Sequence, residues 1–285
     1  MKVFLSAFAD EAARDFRGQL EALKNNSIGY VELRKIDGVN ISRISSEKAR
    51  EYKAMLDDAG VKVWSLGSPL AKQLYKKDLA VEIETARRLC ELARIFECGN
   101  IRAFSFFTGF RKQRGEIIRP KLRELVGVLS EHHINYCLEN DTGLYADVPE
   151  RVEELLDCFP EMKFVYDPAN FIVSGCRAED TLKRLCGRAY YFHIKDARGK
   201  RVVPSGFGNA GIDELVKRID RDCVCTVEPH LFAFRGVKGT FTDQYDLRSS
   251  RGKFDLAVDA FKKILTENGY AECDGCFEKK TGGSI

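Results

Sequence analysis

Features that the sequence lacks exclude several classes of protein. No segment approaches the eighteen consecutive apolar residues of a membrane-spanning helix. The apolar run at the start of the chain reaches Asp10 and Glu11 too early for a secretory signal peptide. We therefore expect no membrane association, a cytoplasmic location and a β-strand as the first element.

An excess of one sign of charge is also lacking. The 46 basic and 43 acidic residues are scattered along the chain, and the net charge is +3. A nucleic-acid groove is typically a clustered basic surface, which this distribution does not predict. No interior segment rich in proline, glycine and serine divides the chain, so we expect one domain. The content of hydrophobic residues, 44%, is enough for a large core.

Cysteine is abundant, with ten residues, but its usual functions lack support. A disulfide framework is typical of short secreted chains, whereas this chain is long and has no signal peptide. Cys273 and Cys276 form a C-x-x-C pair, yet no second cysteine or histidine pair with zinc-finger spacing accompanies them. We expect reduced, mostly buried thiols and no functional site at this pair.

The sequence does contain a repeated alternation of β-rich and amphipathic segments. The predicted strands are residues 2–8, 30–34, 62–66, 101–107, 135–140, 163–167, 190–195 and 223–228. The predicted helices are residues 11–24, 46–59, 78–97, 116–132, 149–158, 178–186, 212–220 and 254–268. Eight such units predict an α/β protein with a single (β/α)₈ TIM barrel over residues 1–270 and an irregular C-terminal tail over residues 271–285.

An open, doubly wound sheet is the structural alternative to the barrel. It would normally have a glycine-rich phosphate loop after the first strand, whereas AFADEAARDF contains no glycine. The closed barrel is therefore favoured. The connection between Glu228 and Phe254 is much longer than a usual βα loop, and in a barrel it would lie over the catalytic face.

The last four predicted strands each end in an acidic or chelating side chain. These are Glu139 in CLEND, Asp167 in VYDPAN, His193 in YFHIKD and Glu228 in TVEPH. Taken singly, a carboxylate is explained as a turn former or helix cap, and the histidine as a core group. At one end of a barrel, three carboxylates would repel one another unless a cation compensated them. The pattern therefore predicts a metal site.

An oxygen-rich ligand set without cysteine suits one hard or borderline divalent ion. Mn²⁺ or Mg²⁺ fits best, and Co²⁺ and Zn²⁺ stay open. If neutral His193 is a ligand, its other ring nitrogen needs a partner that sets the tautomer. Polar residues on neighbouring strands can provide this partner.

These motifs resemble those of a known family, the xylose isomerase-like TIM barrels, and specifically their sugar phosphate isomerase/epimerase group. The resemblance extends from AFADE, GYVELR and LGSPLAK to LENDTG, YDPANF, HIKDA and VEPHL, of which the last four are the specific motifs. In that family the corresponding strand ends supply the ligands of one divalent metal. The resemblance implies the following metal ligands here: Glu139, Asp167, His193 and Glu228.

The resemblance also implies a reaction. In the epimerase branch the two glutamates are an acid/base pair on opposite faces of the substrate, which implies this role for Glu139 and Glu228. Removing a proton next to a carbonyl is slow because the enediolate is high in energy, and a bound cation lowers that energy. The implied enzyme is a sugar or sugar phosphate isomerase or epimerase with a small-molecule carbohydrate substrate.

Two positions depart from the family pattern. Asn170 stands three residues after the aspartate, where family epimerases often have a histidine, and Arg198 lies one residue earlier than the family arginine. Either change is compatible with a different substrate or reaction. The loop 202–213 resembles the glycine-containing segment that helps to close the site in the family.

Six residues are candidate substrate contacts: Glu32, Lys72, Asn170, Lys195, Arg198 and His230. Lys72 by itself is more simply a surface charge. Lys195 follows His193 by two residues, so on a strand it points to the same side. We expect it to contact a substrate phosphate, carboxylate or hydroxyl.

Three other functions compete with an isomerase. An apurinic-site endonuclease of the same fold uses three zinc ions and needs several histidines at strand ends, but His132 and His133 account for half of the four histidines and lie at a predicted helix end. An inosose-type dehydratase would use the same metal and proton abstraction, and this alternative stays open. A non-catalytic sugar-binding barrel would be expected to lack one of the metal-ligating residues, and all four are present.

Homo-oligomers are common in the family, so a homo-oligomer is an expectation from the resemblance alone.

Overall fold

Eight parallel strands form the centre of the structure, a computed structural model that describes residues 1–109, 114–273 and 275–279. The strands are β1 (Lys2–Ala7), β2 (Tyr30–Leu33), β3 (Lys62–Gly67), β4 (Asn100–Ala103), β5 (Asn135–Glu139), β6 (Lys163–Tyr166), β7 (Tyr191–Ile194) and β8 (Cys223–Val227). Each strand pairs in parallel with the next, and β8 pairs with β1, where Cys223 lies opposite Val3. The predicted (β/α)₈ barrel is confirmed.

The described residues contain nine α-helices around this barrel. They are α1 (Phe16–Asn25), α2 (Ser46–Asp58), α3 (Leu79–Ile95), α4 (Gly115–Glu131), α5 (Pro149–Cys158), α6 (Pro168–Val173), α7 (Ala178–Leu185), α8 (Ile212–Arg218) and α9 (Ser250–Glu267). At the start of α1, Asp15 accepts a hydrogen bond from the Gly18 N–H, and at the start of α2, Ser45 accepts one from Lys48. Such caps satisfy N–H groups that have no partner inside the helix. In the part of the chain that the structure describes, no helix has the length and apolar character needed to span a membrane.

The helices pack on the barrel through one large apolar core. Alternate residues of β1, Val3, Leu5 and Ala7, are buried at its outer face. From α3 and α4, Leu89 and Leu125 are fully buried in the same core. Burying a side chain of this kind stabilises the fold by roughly 1.5–3 kcal/mol. This core holds the strand ends in fixed relative positions.

β4 is shorter than the predicted fourth strand. The Phe104 N–H donates to the Leu70 carbonyl at 3.0 Å, and the Phe106 N–H donates to the Ala71 carbonyl at 2.7 Å. These bonds draw the chain away from β5 and toward the connection after β3. The sequence IRAFSFF does not reveal this change of partner, because its residues are buried both before and after the point where the chain leaves β5.

Three short elements were not predicted. α6 begins directly after β6, and its cap is the side chain of Asp167, which accepts a hydrogen bond from Asn170 N–H at 2.9 Å. Two antiparallel hairpins are also present: Lys35–Ile36 with Val39–Asn40 after β2, and Asp196–Arg198 with Arg201–Val203 after β7.

The C-terminal tail corrects the prediction from sequence. Residues expected to be irregular form an antiparallel hairpin, Tyr270–Cys273 with Cys276–Lys279. The second strand of this hairpin adds to β1, where Phe277 lies opposite Val3. β2 pairs with β1 only from Ser6 onward. The backbone N–H and C=O groups of the first residues of β1 are therefore available on that side, where the hairpin strand pairs with them.

A disulfide joins Cys273 and Cys276 across the turn of this hairpin. The expectation of reduced thiols is therefore wrong for this pair, which the strand register places opposite each other. The other eight cysteines are free, and most of them are buried as expected. Residues 280–285 of the predicted tail lie outside the described residues.

Candidate metal centre

Four polar side chains converge at the carboxyl ends of β5 to β8. We call them the quartet: Glu139, Asp167, His193 and Glu228. One ligand-type atom from each lies within 4.8 Å of those of the other three. None of the four residues is more than 5% exposed. Three buried carboxylates and an imidazole around one point suit a divalent cation.

His193 is fully buried, and both of its ring nitrogens face carboxylates. Nε2 lies 3.1 Å from Oε2 of Glu32, which reaches it from β2 across the barrel. Nδ1 lies 3.4 Å from Glu139 Oε1 and 3.6 Å from Glu228 Oε2, and it has no hydrogen-bond partner among the described residues. A buried nitrogen without a partner costs free energy, which a bound cation at this point would offset. Glu32 is then the partner that a metal-binding histidine needs on its second nitrogen.

Asp167 is fixed by the turn that leads from β6 into α6. Its Oδ1 accepts a hydrogen bond from Asn170 N–H at 2.9 Å, and its own N–H donates to Asn140 Oδ1 at 2.9 Å. The Asn140 side chain also donates to the Asp167 carbonyl at 2.8 Å. These bonds use Oδ1 and the backbone, so Oδ2 is left to face the quartet. Asp167 is therefore both a helix cap and a member of the quartet.

Charges around the quartet separate the pKa values of its members. Burial favours the neutral form of Glu139, but His193 and Arg102 lower its pKa to about 2. Burial raises the pKa of Asp167 to about 7. Burial opposes protonation of His193, yet Glu32 and Glu139 raise its pKa to about 10. A metal ion that binds here at neutral pH therefore has to displace a proton from His193.

Lys195 is a cation in direct contact with the quartet. Its Nζ lies 2.7 Å from Asp167 Oδ2 and 2.8 Å from Glu228 Oε2, and the residue is 7% exposed. The other oxygen of Glu228 lies 3.0 Å from His230 Nδ1. Burial would raise the pKa of Glu228, but Lys195 and His230 hold that pKa well below its usual range. Lys195 thus lies beside His193, as the spacing of the two residues predicts.

Two arginines that we did not single out from the sequence complete the site. Nε of Arg102, on β4, lies 3.2 Å from Glu139 Oε2, and Nη1 of Arg34, just after β2, lies 3.6 Å from Glu228 Oε1. The guanidinium carbons of Arg34 and Arg102 lie 4.6 and 5.5 Å from the centroid of the Phe8 ring. A signal was present in the sequence, because Arg102 is the charged residue of a buried strand and Arg34 follows an inward glutamate by two residues.

A cavity of about 460 Å³ adjoins the quartet. This volume is typical of small-molecule sites. The wall also contains neutral side chains: Asn40, Ser68, Pro69, Phe104, Thr142, Val173, Val202 and Phe232. The long connection after β8 supplies His230 and Phe232, so it lies at this end of the barrel as predicted.

Four of the six predicted substrate contacts line the cavity: Lys72, Asn170, Lys195 and His230. Lys72 is exposed at the rim, where it forms an ion pair with Asp141 at 2.7 Å. The Asn170 side chain donates a hydrogen bond to Glu139 Oε1 at 3.1 Å. The cavity therefore places these side chains beside the quartet.

The other two predicted contacts, Glu32 and Arg198, lie outside the cavity wall, and their contact with a substrate stays a prediction. Glu32 is 1% exposed and lies below the cavity, where it accepts hydrogen bonds from Tyr191 and His193. Arg198 is exposed on the hairpin after β7 and donates to the Phe207 carbonyl at 2.6 Å. The strand period did not reveal that the chain turns back in this hairpin. Neither residue lines the cavity.

The glycine-containing loop after β7 wraps around Asp196. The carboxylate accepts hydrogen bonds from the N–H groups of Gly206 and Gly208 at 2.9 Å and from that of Ala210 at 3.0 Å. A Cβ atom at Gly208 would collide with this carboxylate, so glycine is required there by the close approach. Asp196 thus anchors the loop directly after Lys195.

Residues 20–231 match a family model described as xylose isomerase-like TIM barrel. The chain belongs to this family. The family predicted from the sequence motifs is thereby confirmed. No curated protein matches the chain in sequence.

Three solved structures share this fold over almost their whole length. The IolI protein with a binding zinc atom has a TM-score of 0.71 at 16% identity, and the match covers 93% of this chain and 98% of that chain. The probable 3-DHS dehydratase AsbF from Bacillus anthracis has a TM-score of 0.69 at 19% identity, with 93% and 99% covered. D-psicose 3-epimerase from Clostridium cellulolyticum H10, with D-tagatose, has a TM-score of 0.66 at 13% identity, with 92% and 99% covered. At these identities the likeness shows the common fold.

Proposed function

We propose that this member of the family is a divalent-metal-dependent isomerase or epimerase of a sugar or sugar phosphate. The quartet carries the proposal, because it groups four buried ligand-type side chains around one point. Nδ1 of His193 faces this point without a hydrogen-bond partner among the described residues. The adjoining cavity has room for a monosaccharide.

The quartet would hold one ion. Its oxygen-rich donor set favours Mn²⁺ or Mg²⁺, and its imidazole also suits Co²⁺ or Zn²⁺. When bound, the ion would neutralise the negative charge that develops on the oxygens of an enediolate. The similarly folded IolI structure has a binding zinc atom, which supports the proposal that this fold holds a metal.

Glu139 and Glu228 are the proposed acid/base pair. Both line the cavity, and they approach it from β5 and β8, which have two strands between them in the barrel order. Both are ionised at neutral pH because neighbouring cations hold their pKa values low. One carboxylate would remove the proton next to the carbonyl, and the other would return a proton to the opposite face.

Lys195 is the proposed contact to a substrate oxygen. Its ammonium is at the cavity wall and already lies within hydrogen-bond distance of two carboxylate oxygens. An ammonium in this environment can bind a hydroxyl, carboxylate or phosphate oxygen through a charge-assisted hydrogen bond. Asn170, Lys72 and His230 are proposed as further contacts, since they share the wall.

Metal content tests the site assignment. We expect purified wild-type protein to retain one equivalent of Mn²⁺ after dialysis, and Glu139→Gln and His193→Ala to lose it. The matched control is Asp141→Asn, which removes a carboxylate at the cavity rim but outside the quartet. Stoichiometric metal in both quartet variants would contradict the assignment.

The reaction is tested by a panel of ketoses, ketose phosphates, keto-acids and inososes with Mn²⁺, Mg²⁺, Co²⁺ and Zn²⁺. Proton transfer predicts that the product made in deuterated solvent gains deuterium at the carbon next to the carbonyl. Conversion without any exchange would contradict the proton-transfer mechanism and indicate a hydride shift.

A dehydratase of inosose type is the second candidate. The observation that favours it is the presence of two side-chain nitrogens beside Glu228: Lys195 Nζ at 2.8 Å and His230 Nδ1 at 3.0 Å. Loss of a hydroxyl needs a donor close to the base that removes the carbon-bound proton. An inosose substrate distinguishes the two, because a dehydratase forms an unsaturated product that absorbs in the ultraviolet, whereas an epimerase does not.

A further inference from the structure

The two glutamates of the quartet divide their oxygens in the same way. For Glu139, Oε1 lies 3.4 Å from His193 Nδ1, and Oε2 lies 3.2 Å from Arg102 Nε. For Glu228, Oε2 lies 3.6 Å from His193 Nδ1, and Oε1 lies 3.6 Å from Arg34 Nη1. In both, one oxygen faces the shared point of the quartet and the other faces an arginine, and Glu228 Oε1 also lies 3.0 Å from His230 Nδ1.

Arg102 is held firmly in this arrangement. Its Nη1 donates to the Ser68 carbonyl at 2.8 Å. Its guanidinium carbon lies 4.5 Å from the centroid of the Phe104 ring and 5.5 Å from that of the Phe8 ring. The side chain is 5% exposed, and Nε has no hydrogen-bond partner among the described residues. The ion pair with Glu139 is thus the main interaction of the Nε–H group of Arg102.

Arg34 is held from the opposite side by acidic residues. Its Nε donates to Asp10 and its Nη2 donates to Glu11, each at 3.0 Å. These two bonds leave Nη1 directed toward Glu228. At 18% exposure, the side chain is less buried than that of Arg102.

Gly67, at the end of β3, makes room for both arginines. A Cβ atom there would lie 2.8 Å from Phe8 Cε1, 3.2 Å from Arg102 Nη2 and 3.3 Å from Arg34 Cβ. The two side chains and the Phe8 ring therefore pack against one point of the backbone. This packing limits the movement of the Arg102 guanidinium and of the base of the Arg34 side chain.

From these contacts we infer that Arg34 and Arg102 are positioning residues, which fix the rotation of the Glu228 and Glu139 carboxylates and present one oxygen of each to the metal. The inference rests on the proposed metal site. Charged partners of a ligating carboxylate orient it, and loss of such a partner typically lowers metal affinity by about 10–100-fold. Neither arginine needs to touch the substrate for this role.

The test is the affinity of the purified, metal-free full chain for Mn²⁺, measured from the electron paramagnetic resonance signal of the free ion. Arg102→Lys is the informative variant at the buried position, since it keeps a positive charge between Glu32 and Glu139 and is therefore expected to fold. Arg34→Gln is its counterpart at the less buried position. Arg218→Gln, which removes an exposed ion pair with Glu214 on α8, is the matched control.

We expect Arg102→Lys and Arg34→Gln to bind Mn²⁺ about 10-fold or more weakly, while Arg218→Gln binds as the wild type does. The spectrum of the bound ion should also change, because the glutamate oxygens change orientation. Wild-type affinity and spectrum in both folded variants would overturn the inference, even if their unfolding temperatures fell. Absence of stoichiometric Mn²⁺ binding by the wild type would instead contradict the proposed function itself.

Discussion

The two halves of the barrel mouth have opposite chemistry. β5 to β8 end in the four anionic or chelating side chains of the quartet. The ends of β1 to β4 contribute an aromatic ring and two arginines that face the quartet: Phe8, Arg34 and Arg102. The first half also has acidic side chains: Glu32 reaches across the barrel to His193, and Asp10 and Glu11 pair with Arg34.

This difference follows from the cost of burying charge. A group of buried carboxylates is stable only with compensating cations or hydrogen bonds nearby. The first half of the mouth contributes two of these cations, and Lys195 contributes a third. One half is therefore suited to bind a metal, and the other to orient its ligands.

The largest effect is expected from Asp167→Asn, which removes a charge from the second half. The amide preserves the helix cap but provides a poorer metal ligand. Removing a residue that contacts only a metal ligand lowers metal affinity by up to roughly 100-fold, and we expect a larger fall here, with loss of activity. Metal analysis after dialysis measures this. Retained metal and activity would show that the second half does not hold the ion.

Glu32→Gln tests whether the first half supports the second. The amide leaves the shape unchanged but removes the charge 3.1 Å from His193 Nε2, so we expect metal affinity to fall by about 10–100-fold. Isothermal titration with Mn²⁺ measures the change. Glu82→Gln, a buried glutamate that accepts a hydrogen bond from Ala71 N–H away from the quartet, should leave the affinity unchanged. Equal losses in both variants would indicate a general loss of stability.

Metal affinity should rise with pH. The pKa of His193 is about 10, so below that value a proton has to leave before the ring nitrogen binds metal. Below about pH 7, Asp167 also carries a proton that competes with the metal. We expect affinity to increase by up to about tenfold per pH unit near pH 8 and more steeply below pH 7. Mn²⁺ titrations across roughly pH 6 to 9 measure this, and a flat profile would contradict protonation of His193 in the metal-free protein.

The smallest effects compare two cations that are close in sequence. Lys195→Met should raise KM by about tenfold, since a hydrogen bond to a charged group is worth roughly 1.5–3 kcal/mol. Arg198→Gln should leave KM unchanged, because Arg198 is outside the cavity wall. Steady-state kinetics with the best substrate of the panel distinguish the two. A larger effect at Arg198 would mean that the hairpin after β7 moves toward the substrate.

The quartet was predictable because of chain order. Parallel strands that succeed one another along a barrel bring their carboxyl ends together, so polar residues recurring at strand ends predict a shared site. Lys195 was predictable from its two-residue spacing to His193. The position of Arg198 was not, because strand period does not reveal that the chain folds back in the hairpin at Asp196–Arg198.

The sequence by itself determined the eight-unit barrel, the family and the four quartet residues, because apolar periodicity and residue order are local properties of the chain. Only the tertiary structure decided that Glu32 pairs with His193 and that Arg34 and Arg102 face the two glutamates. Those pairs join β2 to β7, β2 to β8 and β4 to β5, and the first two join residues far apart in the chain. Their partners depend on side-chain direction and space inside the closed barrel, such as the room left at Gly67, and these are set only when all eight strands have packed.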